Sequence, residues 1–427
     1  MYRAASLRIF AVNIYQPVRD AGLRYSQMMP RLTIVLPLKG RPLFTLRFLW
    51  HANRERMPYR FVIADGQVRS SLANLLEKPR EAFPHLDIEY CCYPDDIDFT
   101  HYYRKMAESV HRVRTPYAML ADNDDFLALS GLESSMDFLD GNPDYVCCGG
   151  GIAGFAVYSR PKSSFGGVLG CLNQLTYRYA PHDRSIDLSS SLITDRLTTG
   201  LRNSWSYYAV FRTKALQTIW DEVVEMDPSD LQLVEKFCAM RTLTLGKARS
   251  DAATISYFRQ YWTSLRSAFE KDWVHHLLRN RFTTDFSNII ERISATASRA
   301  DCLDRAIVAE RLRVCVESWL RDFLRVNYGL SGSVRAHLRA RVPSLLEWIK
   351  SRRRYLVWRE RRAVFSELCK NGSSETYLRT LREELLRIED VLEGKEFRLF
   401  LEEYGSALVA DIENASPGRR PFGVAAV

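Results

Sequence analysis

The 427-residue sequence predicts a mixed α/β fold, a mostly parallel sheet flanked by helices, followed by an all-helical C-terminal region. Two observations lead to this prediction. Short β-rich apolar runs alternate with amphipathic helical patterns over the first 125 residues, which is typical of βαβ units and a parallel sheet. From about residue 264 onward the apolar spacing is almost wholly helical, and glycine and proline are scarce until the C-terminal end.

The pattern divides the chain into four segments. We predict an N-terminal extension over 1–30, an α/β domain over 31–265, a basic helical region over 266–415 and a flexible tail over 416–427. The extension lacks a small-residue cleavage site, so a signal peptide is not expected. Transmembrane helices are not expected either, because apolar runs of about eighteen residues are absent from the sequence.

Composition predicts a globular cytoplasmic protein. Apolar residues make up 46% of the chain and charged residues 26%, which is the usual balance of a folded domain. The nine cysteines are irregularly spaced and form no CxxC pair. This spacing favours reduced thiols over a disulfide framework or a zinc site.

Positive charge is concentrated in residues 311–370, which hold 15 Lys or Arg against 5 Asp or Glu. Such a segment is suited to peripheral contact with an anionic membrane, and a solvated helical face is the alternative interpretation. The aromatic residues of this segment fall among Leu and Val at helical spacings, which favours core packing over base stacking. Nucleic acid is therefore not an expected partner.

The α/β domain begins with four predicted strands, at 32–38, 60–64, 87–92 and 117–120. Helices are predicted between them and after them, and further strands are predicted at 145–148, 155–158, 207–211 and 252–258. The intervening residues 159–205 are polar and irregular. A long segment of this kind is often a lid or a binding loop.

Three carboxylates follow the fourth predicted strand directly: Asp122, Asp124 and Asp125, here called the acid cluster. An unpaired buried carboxylate is costly, so the acids are expected to face a cleft where a cation balances them. Their hard oxygen atoms suit Mg²⁺ or Mn²⁺. The alternative is an Asp-rich turn that leads into a capped helix.

The context of the acid cluster favours the metal interpretation. Ligands of open α/β sheets bind beyond the carboxyl ends of the strands. Asp65 ends the second predicted strand, and the turn Lys39-Gly40-Arg41 follows the first. A basic turn, a single acid and the acid cluster at three strand ends together indicate a site for a metal and a nucleotide diphosphate.

In their order, these pieces resemble a GT-A glycosyltransferase of the family 2 type, and in particular the bacterial glycosyltransferase-domain family with an Asp-x-Asp-Asp-Phe signature. The resemblance covers about residues 31–260. The matching pieces are Thr33-Ile34-Val35-Leu36-Pro37, Ile63-Ala64-Asp65-Gly66, Thr115-Pro116-Tyr117, Asp122-Asn123-Asp124-Asp125-Phe126 and Tyr207-Tyr208-Ala209-Val210-Phe211-Arg212-Thr213.

The resemblance implies transfer of a sugar from a nucleotide-diphosphate donor to a hydroxyl group, with Mn²⁺ or Mg²⁺ as the cofactor. It assigns Asp65 to the nucleotide base, Asp122 to the ribose and the metal, and Asp124 to the metal. Asp125 would assist the metal or the acceptor. Pro37, which ends the first matching piece, belongs to the donor side.

Basic residues would hold the diphosphate of the donor. Arg41, Lys105 and Arg259 each lie near a predicted strand or helix end that faces the cleft. For Lys105, a position on a solvated helix face is the alternative interpretation.

An inverting mechanism also requires a general base. The resemblance places it at the start of a helix beyond the central strands, where this chain has Asp230 and, five residues on, Glu235. Asp230 is the first candidate and Glu235 the second. A purely electrostatic role of Asp230 at the helix N-terminus is the alternative.

The expected acceptor is a glycan or a lipid-linked sugar of a bacterial surface polysaccharide. Two other classes of function remain open from the sequence. A sugar-nucleotide nucleotidyltransferase would need a Gly-rich basic loop after the first strand, and Lys39-Gly40-Arg41 is a poor match to that loop. The other is a non-catalytic interaction protein that acts through its basic helices.

Overall fold

The computed structural model describes residues 29–67, 71–157, 175–178, 185–201, 205–260, 280–327, 379, 383–384, 386–388, 391 and 395–405. The predicted tail 416–427 and most of the predicted extension 1–30 lie outside these residues, as does the greater part of the basic segment 311–370. Within the described helices, none combines the length and the apolar character needed to cross a bilayer.

The first half of the chain forms the predicted parallel sheet. Its strands are β1 (Leu32–Leu38), β2 (Arg60–Asp65), β3 (Asp87–Cys92) and β4 (Tyr117–Leu120), and its helices are α1 (Pro42–Arg54), α2 (Ala73–Glu77) and α3 (Phe99–His111). The strands pair in parallel in the order β3-β2-β1-β4. Parallel pairing places the carboxyl ends of all four strands at the same edge.

The second half extends the sheet on the β4 side. Its elements are β5 (Phe126–Leu127), α4 (Leu129–Gly141), β6 (Tyr145–Val157), β7 (Leu175–Arg178), β8 (Ile186–Leu188), α5 (Ile193–Gly200), a 3-10 turn (Trp205–Tyr208), β9 (Val210–Arg212), α6 (Thr213–Met226), α7 (Leu231–Leu245) and β10 (Lys247–Gln260). The order continues β4-β9-β6-β10-β5, with β9 antiparallel to both neighbours and β6 parallel to β10.

Strand β1 explains why the sheet is covered on both faces. Ile34 and Leu36 are fully buried in the core on one face, whereas Val35 is fully buried in the core on the other. Alternate side chains of a strand point to opposite faces, and a strand of a parallel sheet is apolar on both. The continuous apolar run of β1 therefore requires helices on each side, as predicted.

The predicted C-terminal helices are present in the described residues as α8 (Asn280–Asp301), α9 (Arg305–Asn327) and α10 (Lys395–Tyr404). Ile290 and Ile293 of α8 are buried in the same core as Leu197 of α5 and Phe237 of α7. On the opposite face, α10 places Phe397 at 5.4 Å from the ring of Trp50 in α1, between ring centroids. Both ends of the helical region thus pack on the α/β fold.

Three predictions between residues 145 and 211 are wrong. The segments predicted as strands 145–148 and 155–158 form one strand, β6, through residue 157. Glycine at position 150 lets β6 continue alongside β10. A Cβ atom there would lie only 2.8 Å from the backbone nitrogen of Ser256 in β10. The described parts of the predicted loop 159–205 contain β7, β8 and α5, and the predicted strand 207–211 is a 3-10 turn followed by the shorter β9.

Asp301 caps α5 from the end of α8. Its carboxylate accepts hydrogen bonds from the backbone N–H of Ile193 (2.8 Å) and of Thr194 (2.7 Å), and from the Thr194 hydroxyl (2.7 Å). Loss of a helix-capping side chain typically costs about 1–2 kcal/mol. We expect Asp301→Ala to lower the free energy of unfolding, measured by urea denaturation, by that amount.

The effect of Asp301→Ala should depend on pH. Burial raises the pKa of Asp301, but the hydrogen bonds from Thr194 and Ile193 outweigh it and the net pKa is lowered. Asp301 therefore stabilises the fold fully above its unfolded pKa of about 3.9, and this stabilisation disappears as the pH falls through the lower folded value. Glu310→Ala, at an exposed position of α9, is the control and should change stability by less than about 0.5 kcal/mol. Equal effects of the two variants at pH 7 would contradict the capping role.

Candidate functional site

The acid cluster lies at the carboxyl end of β4, as predicted. Carboxylate oxygen atoms of Asp122, Asp124 and Asp125 lie within 4.8 Å of one another, and within the described residues they form the one group of three or more such ligands. Asp124 and Asp125 are buried and Asp122 is half-buried. At this spacing all three carboxylates could coordinate a single cation.

The electrostatics of the acid cluster fit a bound divalent cation. Burial raises the pKa of Asp122, and the charge of Asp124 raises it further. Burial and the charges of Asp124 and Asp122 raise the pKa of Asp125 well above its usual range. Like charges that share a desolvated site oppose ionisation, and a cation among them reverses this effect. The donor set, carboxylate oxygen only, suits Mg²⁺ or Mn²⁺.

Arg41 joins the basic turn after β1 to the acid cluster. Its guanidinium donates a hydrogen bond from Nη2 to Oδ2 of Asp124 at 2.9 Å. The backbone of Arg41 is left-handed, with φ of 61°, and Gly40 before it has φ of 75°. A non-glycine residue held in this region is strained, and such strain is often found at functional sites. The conformation of the turn thus places the Arg41 guanidinium against the Asp124 carboxylate.

Two stacked tyrosines hold Asp122. The Tyr208 hydroxyl donates a hydrogen bond to Oδ2 of Asp122 at 2.5 Å, and the Asp122 backbone N–H donates one to the Tyr257 hydroxyl at 3.0 Å. The two rings stack with their centroids 4.5 Å apart. Asp122 is therefore fixed by groups from the 3-10 turn and from β10. The sequence placed Tyr208 in a matching piece but gave neither tyrosine a role at the site.

Arg259, the third predicted diphosphate ligand, lies beside the acid cluster at the end of β10. Its guanidinium lies 5.6 Å from the centroid of the Tyr208 ring. Burial lowers the pKa of Arg259, but Tyr208 and the acid cluster outweigh this and raise it above the usual value. Arg259 is therefore a permanent cation, and together with Arg41 it brings positive charge to the site from two sides.

A second group of charged residues lies at the carboxyl ends of β1 to β3. The buried carboxylate of Asp65 accepts hydrogen bonds from the Gln67 backbone N–H at 3.0 Å and from the Tyr90 hydroxyl at 3.1 Å. Lys105 is buried, so it is not on a solvated helix face, and its Nζ donates to Oδ2 of Asp96 at 2.5 Å. Burial lowers the pKa of Lys105, and the charge of Asp96 opposes this effect.

The turn after Asp65 packs directly on this second group. A Cβ atom at Gly66 would lie 2.0 Å from the Oδ2 atom of Asp96, so only glycine fits there. Pro37 lies in β1, next to Ala64 of β2, two residues before Lys39. Lys39 donates a hydrogen bond to the Asp96 carbonyl. Asp96 thus links all three strand ends, although the sequence did not mark it.

The two candidate bases lie at the start of α7. Asp230 is buried, and its carbonyl accepts the first backbone hydrogen bonds of the helix, from Leu233 at 3.1 Å and Val234 at 3.3 Å. Glu235 lies one turn further on. Burial and the charge of Asp124 raise the pKa of Asp122 most, and the charge of Glu235 adds a smaller effect.

Arg47 is a further site residue that sequence reasoning missed. Its buried guanidinium donates to the Asp124 carbonyl, and one signal was available, since Arg47 lies among Leu43, Leu46 and Trp50 on the apolar face of α1. A charged residue on such a face requires a buried partner. Asp96, Tyr208 and Tyr257 carried no comparable signal, because their partners come from distant parts of the chain.

No family model matches the chain, and no curated protein matches it. Among solved structures, the chain is similar to S. aureus TarS, with 13% identity and a TM-score of 0.39 over 70% of this chain and 44% of that one. It thus spans less than half of the full TarS chain. It is also similar to TarS 1-349 in complex with UDP-GlcNAc, at 12% identity, 72% and 78% coverage and a TM-score of 0.43.

A third similar structure is the mannosyltransferase PcManGT from Pyrobaculum calidifontis, in complex with GDP-Man and Mn²⁺. The identity is 13%, the match covers 86% of this chain and 89% of that one, and the TM-score is 0.37.

Proposed function

We propose that the chain is a metal-dependent glycosyltransferase, which moves a sugar from a nucleotide-diphosphate donor to a hydroxyl acceptor. The observation that supports it best is the acid cluster, whose three carboxylates lie within 4.8 Å at the end of a central strand. Arginine side chains approach the same point, which is the charge pattern that a metal-bound diphosphate requires.

The charge balance favours joint binding of metal and diphosphate. Three acids of the cluster face three described guanidiniums, those of Arg41, Arg47 and Arg259. A divalent cation would neutralise part of the acid cluster and leave Arg41 and Arg259 able to pair with a diphosphate. The diphosphate would also contact the cation, so the two should bind more tightly together than separately.

Each predicted residue has a proposed task. Asp124 and Asp122 hold the metal, Asp125 supports them, and Arg41 and Arg259 contact the diphosphate. Asp65, with Pro37, holds the nucleoside beyond the ends of β1 to β3, and Lys105 is the third basic residue proposed for the diphosphate. A bound metal would stabilise the negative charge that develops on the departing diphosphate.

The general base would take the proton of the acceptor hydroxyl in an inverting reaction. Asp230 and Glu235 are the candidates. Asp230 is the first candidate, and Glu235, one turn further along α7, is the second. The position of Asp230 at the start of α7 supports it as either the base or a residue that stabilises the helix end.

The acceptor is proposed to be a glycan or a lipid-linked sugar of a bacterial surface polysaccharide. The excess of positive charge in residues 311–370 supports peripheral contact with an anionic membrane, where such acceptors lie.

A thermal and kinetic survey tests the proposal. The purified chain is mixed with a panel of nucleotide sugars, with Mn²⁺, or with both, and its melting temperature and the release of nucleoside diphosphate are measured. We expect one nucleotide sugar together with Mn²⁺ to raise the melting temperature by several degrees, more than the sum of the separate shifts. Release of nucleoside diphosphate should require the metal.

Other outcomes identify the competing functions. Release of pyrophosphate from a nucleoside triphosphate and a sugar phosphate would indicate a nucleotidyltransferase. Salt-sensitive nucleic-acid binding without affinity for any nucleotide sugar would indicate an interaction protein. With the active donor, kcat for Asp230→Asn and Glu235→Gln separates the two candidate bases, because the true base should lose about 10²–10⁴-fold.

A further inference from the structure

Arg47 is a fully buried cation beneath the acid cluster. Its side chain has 0% exposure, and its guanidinium lies between the rings of Phe44 and Phe126, at 5.0 Å and 4.7 Å from their centroids. Replacing a buried ionic group by an apolar one of similar volume is often neutral or stabilising. Core packing therefore does not explain an arginine here.

The hydrogen bonds of Arg47 connect two elements of the site. Its Nη2 atom donates to the Asp124 carbonyl at 2.5 Å and to Oε1 of Gln260 at 2.7 Å. The backbone N–H of Gln260 in turn donates to Oδ1 of Asp125 at 2.7 Å. Arg47 thus ties the backbone of one acid to the strand end that holds the next.

Arg47 differs from Arg41 in what it contacts. Arg41 contacts the Asp124 carboxylate and is half-buried, whereas Arg47 contacts the Asp124 backbone from the core side. Burial lowers the pKa of Arg47 to about 9, and the charge of Asp124 opposes this effect. A guanidinium stays protonated at neutral pH, so a positive charge lies behind the carboxylates.

We infer that Arg47 is a positioning residue, which bridges the Asp124 carbonyl and Gln260 and thereby fixes the direction in which the acid cluster presents its carboxylates to a divalent cation. This inference rests on the proposed metal-dependent function. Groups that orient metal ligands typically contribute about 10–100-fold to metal affinity when they are intact.

The sign of the effect separates positioning from simple electrostatics. A buried positive charge repels a metal ion, so its removal alone would tighten metal binding. If Arg47 instead holds the backbone of Asp124, its removal lets that backbone and its carboxylate move, which weakens metal binding. A purely structural role would lower the melting temperature and leave the metal affinity of the folded protein unchanged.

The test uses Arg47→Met, which removes the charge, and Arg47→Lys, which keeps the charge but cannot reproduce the planar bridge. Mn²⁺ alone is titrated into each full-length protein, and the dissociation constant is measured by water-proton relaxation. We expect both variants to bind Mn²⁺ about 10–100-fold more weakly than wild type. Circular dichroism verifies the fold.

The matched control is Arg54→Met in the same helix. Arg54 lies 5.5 Å from the ring of Trp50, outside the site, and its replacement should leave the Mn²⁺ dissociation constant unchanged. If the Arg47 variants fail to fold, Gln260→Met serves instead. It removes the Oε1 acceptor and keeps the backbone N–H that binds Asp125, and it should weaken Mn²⁺ binding several-fold.

The results separate this inference from the function on which it depends. Unchanged or tighter Mn²⁺ binding by a folded Arg47 or Gln260 variant would overturn the positioning role and leave the glycosyltransferase proposal in place. A wild-type protein that binds no Mn²⁺, either alone or together with any nucleotide sugar of the thermal survey, would overturn both.

Discussion

Replacing Asp124 by asparagine should lower kcat/KM for sugar transfer by at least about 10³-fold. Asp124 is the acid that Arg41 and Arg47 both contact, one at the carboxylate and one at the backbone carbonyl, so its position is held at two points. Asparagine keeps the shape but removes the charge that a metal requires. A loss of several kcal/mol in transition-state stabilisation corresponds to three orders of magnitude or more in rate.

The measurements for Asp124→Asn are steady-state kinetics with the donor identified in the thermal survey and Mn²⁺ titration of the variant. Both activity and Mn²⁺ affinity should fall, and excess Mn²⁺ should restore activity only in part. Asp137→Asn is the control, because the Asp137 side chain is 69% exposed and pairs with Arg31 at 2.9 Å, away from the acid cluster. An Asp124→Asn enzyme with wild-type kinetics would exclude the acid cluster as the metal site.

Replacing Gly131 by alanine should destabilise the fold by about 3 kcal/mol or more. Gly131 lies in α4 where the helix crosses β10, and a Cβ atom there would lie 2.1 Å from the Ile255 carbonyl oxygen and 2.6 Å from the Ser256 backbone nitrogen. Overpacking a core typically costs about 1–3 kcal/mol, and this clash is with backbone that cannot rotate away. The measurement is urea denaturation.

Gly131→Ala should also weaken Mn²⁺ binding at the acid cluster. The residues next along β10 are Tyr257, which accepts from the Asp122 N–H, and Gln260, which donates to Asp125. A displaced β10 would carry both away from the acid cluster, so Mn²⁺ affinity should fall with stability.

Gly141→Ala is a matched control at the other end of the same helix. A Cβ atom there has nothing within 4 Å, and alanine has a higher helix propensity than glycine by up to about 1 kcal/mol. Gly141→Ala should therefore be neutral or slightly stabilising. If the two glycine variants changed the free energy of unfolding equally, the close approach of α4 to β10 would not be the reason for glycine at position 131.

The parallel half of the sheet could be predicted closely from the sequence. Strands β1, β3 and β4 have the predicted bounds, because buried parallel strands are continuous apolar runs that end at turn residues. The predictions failed where that signal is weak. Separate strands were predicted at 145–148 and 155–158, but pairing with β10 along the intervening residues keeps β6 continuous.

The acid cluster and the basic turn could likewise be predicted, because each follows a strand whose carboxyl end was recognisable. Their contact, the 2.9 Å ion pair of Arg41 with Asp124, follows from the parallel pairing of β1 with β4. The groups that hold the acids could not be predicted. Tyr208 is 86 residues from Asp122, and Gln260 is 135 residues from Asp125.

The sequence by itself determined the α/β class, the succession of the first four strands and the carboxylates that a metal would need, because apolar periodicity and strand-end acids are local patterns. Only the tertiary structure decided how those carboxylates are held. Arg47, Tyr208, Tyr257 and Gln260 come from α1, the 3-10 turn and β10, and they meet the acid cluster only when the sheet is assembled. The free energy of a buried charge depends on these distant partners, so its role follows from the assembled fold.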